Sequence, residues 1–208
     1  MNRRELKTRG QAWPRRLAQS LAGAGLTPNQ ISVLSVGFAI GAAGAYYTAP
    51  RGWIWLVIAA VGIQLRLLCN MLDGLLAIEG GLKSKTGDLY NEVPDRFGDI
   101  AIMLGAGFVI RALPYGMTLA WVMIVIAILT AYVRLLGGSL GLVQDFSGPM
   151  AKQHRMFTLT LGTLLAAGEI AVRGTVWTLY IAVWAIVIGS AFTFARRLAR
   201  IARQLEAR

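Results

Sequence analysis

Apolar segments long enough to cross a membrane recur along most of this 208-residue chain, which is 56% hydrophobic. A helix needs about 20 consecutive apolar residues to span the hydrocarbon core of a bilayer, and soluble domains are only about 45–50% apolar. Pro and Gly separate neighbouring segments, as in APRG at 49–52 and RALPYG at 111–116. We therefore predict an all-α integral membrane bundle of six transmembrane helices. The predicted helices cover 30–49, 53–78, 87–111, 115–136, 154–172 and 174–195.

The chain contains no internal repeat and no low-complexity linker, so we predict a single membrane domain over 1–208. It comprises a basic leader at 1–29, the six-helix bundle at 30–195 and a basic tail at 196–208 that extends the last helix. The leader has no continuous apolar core, so it is not expected to be a secretory signal peptide. Residues 13–26 interleave Trp and Leu with Arg, which favours a short interfacial helix on the inner leaflet; a plain basic leader is the alternative. A single cysteine, Cys69, excludes an intramolecular disulfide.

The net charge of +11 would suggest nucleic-acid binding in a soluble protein. Here the basic residues cluster at predicted helix ends, where membrane orientation and contact with anionic lipid explain them. We therefore expect membrane lipid as a partner and no nucleic acid. The basic residues of one side are Arg3, Arg4, Lys7, Arg9, Arg15, Arg16, Lys83, Lys85, Arg134, Lys152, Arg155, Arg196, Arg197, Arg200, Arg203 and Arg208. The other side has only Arg51, Arg111 and Arg173. Because cytoplasmic loops are richer in Lys and Arg, both termini are predicted to be cytoplasmic.

Acidic residues concentrate at the ends of two predicted helices, since six of the ten lie between positions 73 and 99. At about 100° per residue they form two stripes with neighbouring polar groups. The stripes are Arg66, Asn70, Asp73 and Ala77 on the second helix, and Asp88, Glu92, Asp95 and Asp99, with Asn91 at the edge, on the third. Two facing stripes of oxygen ligands at the cytoplasmic boundary suit a hard divalent cation. The alternative is that these acids are simply solvated helix ends that complement a helix dipole.

This stretch resembles the signature of the CDP-alcohol phosphotransferase family, D-x-x-D-G-x-x-A-R-x8-G-x-x-x-D-x-x-x-D. Five defined positions match: Asp73, Gly74, Ala77, Gly87 and Asp95. The signature is degenerate at the other three, where Asn70 and Asn91 replace Asp and Ile78 replaces Arg. LTPNQIS at 26–32 is similar to the family's T-P-N-x-x-T, and AYVRLLGGSLG at 131–141 is similar to its S-Y-x-R segment.

The resemblance implies an enzyme of phospholipid synthesis that transfers a phosphatidyl group from a CDP-linked lipid, such as CDP-diacylglycerol, to a polar alcohol and releases CMP. It implies a divalent metal, Mg²⁺ or Mn²⁺, and a homodimer. The metal positions carried over from the family are Asn70, Asp73, Asn91 and Asp95, and the last of these also becomes the catalytic general base. The implied nucleotide-binding residues are Thr27, Pro28, Asn29, Gly74, Ala77 and Gly87.

The substitutions change the charge of the implied site. An Asn carbonyl can bind a cation but carries no charge, so metal affinity should fall, and a second metal should bind only with the substrate's phosphates present. Asp88, Glu92 or Asp99, which share the stripe with Asp95, could partly compensate. Arg66 shares a helix face with Asp73 and could supply the cation lost at Ile78. The candidate ligands for a phosphorylated acceptor are Arg66, Arg134, Lys152 and Arg155; ordinary positive-inside charge is the alternative for them. His154, the only His, has no Cys or His partner and is not expected to bind zinc.

Three alternatives stay open, and one of them is a family member that uses a different donor or acceptor. The substitutions at Asn70, Asn91 and Ile78 are compatible with a catalytically impaired relative that only binds nucleotide or lipid. A small membrane transporter or channel is the third alternative, although its polar site should lie near mid-membrane rather than at one boundary.

Overall fold

The computed structural model describes residues 12–79, 81 and 85–207, without the side chains of Glu79 and Asp88. All regular elements in these ranges are helical. The helices are α1 (Ala12–Gly23), α2 (Pro28–Thr48), α3 (Ile54–Glu79), α4 (Gly87–Val109), α5 (Gly116–Ser139), α6 (Lys152–Arg173) and α7 (Trp177–Glu206), with a 3-10 turn at Ala49–Arg51. The first part of the predicted leader, with its four basic residues, and the loop residue Lys83 lie outside the described residues.

Five of the described helices are long and apolar enough to cross a membrane: α2, α3, α5, α6 and α7. They correspond to five of the six predicted spans, so the protein is an integral multi-pass membrane protein by length and composition. The sixth predicted span, 87–111, is a helix too, but the first half of α4 carries Glu92, Asp95, Arg96 and Asp99. The predicted count of six spans is therefore not confirmed, because five of the described helices meet the apolar criterion.

The start of α2 shows why the LTPNQIS segment ends a loop and begins a helix. Thr27 Oγ1 accepts a hydrogen bond from the amide of Gln30, and Gln30 Oε1 accepts one from the amide of Thr27. This reciprocal capping box satisfies two amides that the first turn leaves without helical partners. Pro28 occupies the first helical turn, where its fixed φ and missing N–H are no disadvantage.

Helix α2 packs against both α3 and α4, while α7 packs against α5 and α6. Small residues bring these helices close together, as is common between helices in membranes. A Cβ added at Gly62 of α3, for example, would lie 2.9 Å from the Cβ of Ala42 on α2. The packing brings the polar ends of α3 and α4 beside α5 and the first turn of α6.

The two ends of the described chain are also helical. Helix α1 covers most of the predicted interfacial segment and rests on α3, where Ala18 joins a small apolar cluster with Cys69 and Leu72. Its location at a membrane interface stays a prediction. Helix α7 continues to Glu206, so the basic tail extends the last helix as predicted.

Candidate functional site

A cavity of about 850 Å³ opens between α3, α4, α5 and α6. Part of its wall is apolar, with Leu65, Leu68, Met71, Leu135 and Leu164 among the lining residues. The rest is strongly polar. Six predicted site residues line it: Asn70, Asn91, Asp95, Arg134, Lys152 and Arg155. The cavity therefore joins a surface suited to hydrocarbon with a surface suited to charged groups.

Asp95 is the most heavily bonded acid of the site and is only 8% exposed. Its Oδ1 accepts hydrogen bonds from Asn70 Nδ2 at 2.6 Å and from Arg66 Nη2 at 3.2 Å. Its Oδ2 contacts Lys152 Nζ, and Arg96 lies 3.8 Å away. The two carboxylate oxygens thus have different surroundings: Oδ1 is held by α3, and Oδ2 meets a lysine of the cavity wall.

Arg66 lies behind Asp95 and, of the four predicted phosphate ligands, is the one that is not part of the described cavity wall. Its guanidinium is fully buried and bridges two acids of α4, because Nη2 is 2.7 Å from Asp99 Oδ1 as well as 3.2 Å from Asp95. It also donates to the backbone oxygen of Asp95 at 3.0 Å. A buried cation is tolerated only when opposite charges surround it. Arg66 therefore braces α4 against α3.

Gly98 provides the space for this guanidinium. A Cβ added at Gly98 would lie 2.8 Å from Arg66 Nε and 3.3 Å from the Cβ of Ala39. An atom at 2.8 Å cannot be accommodated without moving the arginine, so the absence of a side chain here is a condition for the Arg66 bridge.

Asp73 is buried one turn beyond Asn70 on α3. Its Oδ2 accepts a hydrogen bond from Ser32 Oγ at 2.7 Å, while its Oδ1 is buried and has no hydrogen-bond partner within the described chain. The carboxylate interacts electrostatically with Asp95 and Lys152. Ser32 belongs to LTPNQIS, so the two sequence motifs meet at Asp73. Ser32 is not among the site residues predicted from the sequence, although its place in that motif is a signal for it.

The side-chain oxygens at and near Asp73 and Asp95 fit a divalent ion whose coordination shell is completed by a substrate. No group of three or more His, Cys, Asp and Glu side chains in the described residues could hold an ion by itself. Two carboxylates with the amide oxygens of Asn70 and Asn91 remain, and the buried free oxygen of Asp73 suits a cation. Mg²⁺ is commonly held by one or two carboxylates together with substrate phosphates.

Cationic groups from α5, α6 and α7 line the same cavity as the acids. Arg134 Nη2 lies 2.5 Å from Glu92 Oε1, and its guanidinium stacks 4.9 Å from the ring centre of Phe146. Arg155 is 2% exposed and donates to Thr130 Oγ1 at 3.1 Å. Arg197 donates to the backbone oxygen of Thr130 at 2.8 Å. These contacts fix the positions of the cationic side chains along one wall of the cavity.

Arg197 was interpreted from the sequence only as part of the basic tail, and Thr130, Gln144 and Phe146 were not singled out. Helical periodicity offers a signal for Arg197, since Arg197 is buried while its neighbour Arg196 is exposed. Periodicity does not show, however, that Arg197 lines the cavity. The six predicted nucleotide-binding residues lie outside the described cavity wall. Thr27, Pro28 and Asn29 are at the start of α2, Gly74 and Ala77 are buried on α3, and Gly87 begins α4. His154 is exposed.

Comparison with known sequences finds phosphatidylinositol phosphate synthases. The one from Mycolicibacterium smegmatis is 27% identical over 188 residues, covering 88% of this chain and 81% of the relative. The one from Mycobacteroides abscessus is 26% identical over 186 residues, covering 88% and 80%. These relatives are CDP-alcohol phosphotransferases, in agreement with the resemblance drawn from the sequence. No family model matches the sequence.

Comparison with solved structures finds the same fold. The phosphatidylinositol phosphate synthase of Mycobacterium tuberculosis, crystallised with manganese and citrate, superposes with a TM-score of 0.73 at 24% identity, covering 90% of this chain and 88% of the other. The same synthase with CDP-DAG bound gives a TM-score of 0.72 at 24% identity, covering 90% and 92%. The similarity extends over nearly the whole of both chains, so the helical bundle described above shares the fold of that synthase.

Proposed function

We propose that this chain is an integral membrane enzyme that transfers a phosphatidyl group from CDP-diacylglycerol to a phosphorylated polar alcohol, an inositol phosphate in the first instance, and releases CMP. The observation that carries the proposal is the position of Asp95, whose Oδ2 contacts Lys152 at the wall of a cavity that Arg134 and Arg155 also line. A base and a set of anion-binding groups therefore share one cavity. The relatives named above are enzymes of this kind.

The two chemistries of the cavity wall match the two parts of such a donor. Leu65, Leu68 and Met71 on α3 offer an apolar surface for acyl chains, and the polar residues receive the diphosphate and the acceptor. Burying each CH₂ group of a chain contributes about 0.8 kcal/mol. We assign the capped start of α2, with Thr27, Pro28 and Asn29, and the small residues Gly74, Ala77 and Gly87 to the cytidine nucleotide, because Ser32 joins that region to Asp73.

Asp95 takes the proton of the acceptor hydroxyl in this proposal. The hydroxyl oxygen forms a new bond to the phosphatidyl phosphorus, and the proton passes to Asp95 Oδ2. The bond between that phosphorus and the bridging oxygen breaks, and CMP leaves with the electron pair. Arg66 and Asn70 hold Oδ1, so that Oδ2 keeps its direction. Lys152 must exchange Oδ2 for a substrate phosphate before the hydroxyl can reach the carboxylate.

A divalent ion, Mg²⁺ or Mn²⁺, would be held by Asp73, Asp95 and the amide oxygens of Asn70 and Asn91 together with the donor's phosphates. When bound it would neutralise the diphosphate and stabilise the leaving oxygen. The manganese in the structural neighbour supports this assignment. The two Asn residues bring no charge, so the protein's own affinity for the ion depends on Asp73 and Asp95.

The acceptor's phosphate is assigned to Arg134, Lys152 and Arg155, with Arg197 as a fourth cation. Arginine and lysine bind phosphate through strong charge-assisted hydrogen bonds. In the described structure Arg134 and Lys152 are paired with Glu92 and Asp95, so an entering phosphate replaces these carboxylates as their partner.

The arrangement in the membrane completes the proposal. From the excess of Lys and Arg on one side we infer that both termini and the cavity lie at the cytoplasmic boundary. Helix α4 crosses the membrane as a sixth span with its acids directed into protein, and α1 lies at the inner-leaflet interface. The enzyme works as a homodimer.

An acceptor panel tests the proposal. Purified protein in detergent is supplied with CDP-diacylglycerol, Mn²⁺ or Mg²⁺, and either an inositol phosphate, inositol or glycerol, and CMP is measured. The phosphorylated acceptor should give at least about tenfold higher kcat/KM, because each hydrogen bond to a charged partner contributes about 1.5–3 kcal/mol. Chelation of the metal should stop the reaction. Equal rates with inositol would refute the assignment of the cations, and binding of CDP-lipid without CMP release would favour the impaired-relative alternative.

A further inference from the structure

The loop at 140–151 forms one side of the acceptor end of the cavity. It connects α5 to α6 and contributes Gln144, Phe146 and Ala151 to the cavity wall. Of the three sequence motifs, only the end of AYVRLLGGSLG, at 140–141, reaches into this loop. Its outer side rests on the C-terminal half of α7, the segment interpreted from the sequence as a basic tail.

Three polar residues of α7 hold the loop. Thr193, Arg197 and Arg200 are four and three residues apart, so they lie on one face of the helix. Thr193 Oγ1 accepts a hydrogen bond from the amide of Met150 at 3.0 Å. Arg197 Nε donates to the backbone oxygen of Ser147 at 3.0 Å. The helix face thus matches three successive points of the loop.

Arg200 makes the charged contact of this set. Its Nη1 lies 2.6 Å from Asp145 Oδ2 and 2.9 Å from Ser147 Oγ. Asp145 Oδ1 accepts a hydrogen bond from the amide of Ser147 at 2.8 Å, which closes a tight turn in the loop. Desolvation raises the pKa of Asp145, but the hydroxyl and amide of Ser147 and then Arg200 lower it by more, so the pKa lies below its ordinary value. Asp145 is therefore ionised at neutral pH.

The loop is linked in turn to a proposed acceptor ligand. Phe146 stacks on the guanidinium of Arg134, and Gln144 Oε1 accepts a hydrogen bond from Arg134 Nη1 at 3.4 Å. Gln144 and Phe146 flank Asp145, so a shift of Asp145 moves both contacts of Arg134 on this side. Arg200 and Asp145 do not themselves line the cavity wall that the structure describes.

We infer that Asp145 and Arg200 are positioning residues for the acceptor: their ion pair fixes the 140–151 loop, and the loop fixes the guanidinium of Arg134 where the acceptor phosphate binds. This inference rests on the proposed function and adds the α7 extension to the acceptor site. It makes α7 a determinant of acceptor affinity and not of donor affinity, because no contact described above links Arg200 or Asp145 to the apolar wall.

The test compares Arg200→Gln and Asp145→Asn with the native protein in the CMP-release assay. Each change should raise the KM for inositol phosphate about tenfold, within the loss that a misplaced substrate-binding group produces. The KM for CDP-diacylglycerol and kcat should stay within about twofold. Arg200→Lys, which keeps the charge, should restore most of the acceptor affinity. The double variant should be no worse than either single one, since both remove the same interaction.

Arg196→Gln is the matched control, because Arg196 is an exposed arginine on the same turns of α7. Thermal unfolding of every variant is measured beside its kinetics, and a variant that acts by positioning keeps its unfolding midpoint close to that of Arg196→Gln. An unchanged acceptor KM in Arg200→Gln, or an equal loss of donor and acceptor affinity, would overturn the inference while the native activity upholds the proposed function. Absence of CMP release from the native chain would overturn both.

Discussion

Asn70 shows how an uncharged side chain can take part in the candidate site beside Asp95. Its side-chain amide donates a hydrogen bond to Asp95 Oδ1, which a carboxylate at this position cannot do. Arg66, one turn earlier, binds the same oxygen. The charge that a carboxylate at position 70 would bring is absent, and the acid beside it is instead held by a donor and a buried cation.

The space around Arg66 leads to a prediction for Gly98. We expect Gly98→Ala to destabilise the protein by about 1–3 kcal/mol, the usual cost of inserting an atom into a packed site. The added Cβ would lie 2.8 Å from Arg66 Nε and displace the guanidinium from Asp95 and Asp99. Denaturant unfolding in detergent measures the change, and CMP release should fall with it because Asp95 loses a holding group.

Gly37→Ala is the control for this substitution. Gly37 is an exposed helical glycine on α2, and a Cβ there would meet no atom of the described chain within 4 Å. Alanine should stabilise that helix by up to about 1 kcal/mol. Equal stability of the two variants would contradict the account of Arg66.

The residues of the polar site were largely predictable, but their partners were not. Helical spacing placed Asn70, Asp73 and Asp95 together because a period of about 3.6 residues aligns them on two faces. It could not show that Arg66 points behind Asp95 instead of into the cavity, since that depends on the room left by Gly98. Arg197 was missed because a basic tail already had an explanation in membrane orientation.

The corner between α6 and α7 shows how one side chain fixes the start of a whole helix. Helix α7 has no side-chain cap of its own from Val176. Glu169 of α6 serves instead: its oxygens accept hydrogen bonds from the amides of Trp177 at 2.9 Å and Thr178 at 2.8 Å. The hydroxyls of Thr175 and Thr178 also donate to it, at 2.5 and 2.7 Å. One carboxylate therefore satisfies the start of α7 and fixes its angle to α6.

Replacing this carboxylate should loosen the corner. We expect Glu169→Gln to cost about 0.5–2 kcal/mol, the range for loss of a helix cap, because the amide nitrogen cannot accept a hydrogen bond. Thermal unfolding in detergent checks it. Arg173→Gln, a change of an exposed neighbour on the same turn, should have little effect; equal destabilisation by both changes would show that the corner tolerates the loss of the cap.

The helices themselves were predicted within a few residues of their ends, since long apolar runs and the Pro and Gly between them mark both limits. Helix α4 is an exception, because its place in the sequence was predicted but its first half is too charged to meet the apolar criterion for a span. Sequence periodicity cannot decide such a case, because the cost of placing these acids depends on the tertiary partners Arg66, Lys152 and Arg134.

The uneven distribution of Lys and Arg over the molecule predicts an orientation in the membrane, and cysteine labelling can measure it. Its one cysteine, Cys69, is buried at 6% exposure, so an added cysteine becomes the reactive one. We expect Ala207→Cys to react with a membrane-impermeant maleimide only from the cytoplasmic side, and Arg51→Cys only from the opposite side. The reason is the excess of Lys and Arg beside position 207. The unmodified protein should not react.

Labelling of both variants from the same side would contradict the proposed topology. Labelling of Ala207→Cys from the opposite side would in addition move the proposed acceptor site away from the cytoplasmic boundary, because the α7 extension holds one wall of the cavity through the 140–151 loop.

If the whole bundle serves one transfer reaction with Asp95 as its base, formation of the phosphatidyl product must depend on the Asp95 carboxylate. Native protein, Asp95→Asn and the exposed-acid control Glu206→Gln are incubated with CDP-diacylglycerol, Mn²⁺ and inositol phosphate, and the lipid product and CMP are quantified together. We predict that the native and control proteins form lipid product and CMP in equal amounts and at similar rates. The rate in Asp95→Asn should be at least about 100-fold lower, which is the contribution expected of a general base. No product from the native protein, or undiminished product from Asp95→Asn, would contradict the account.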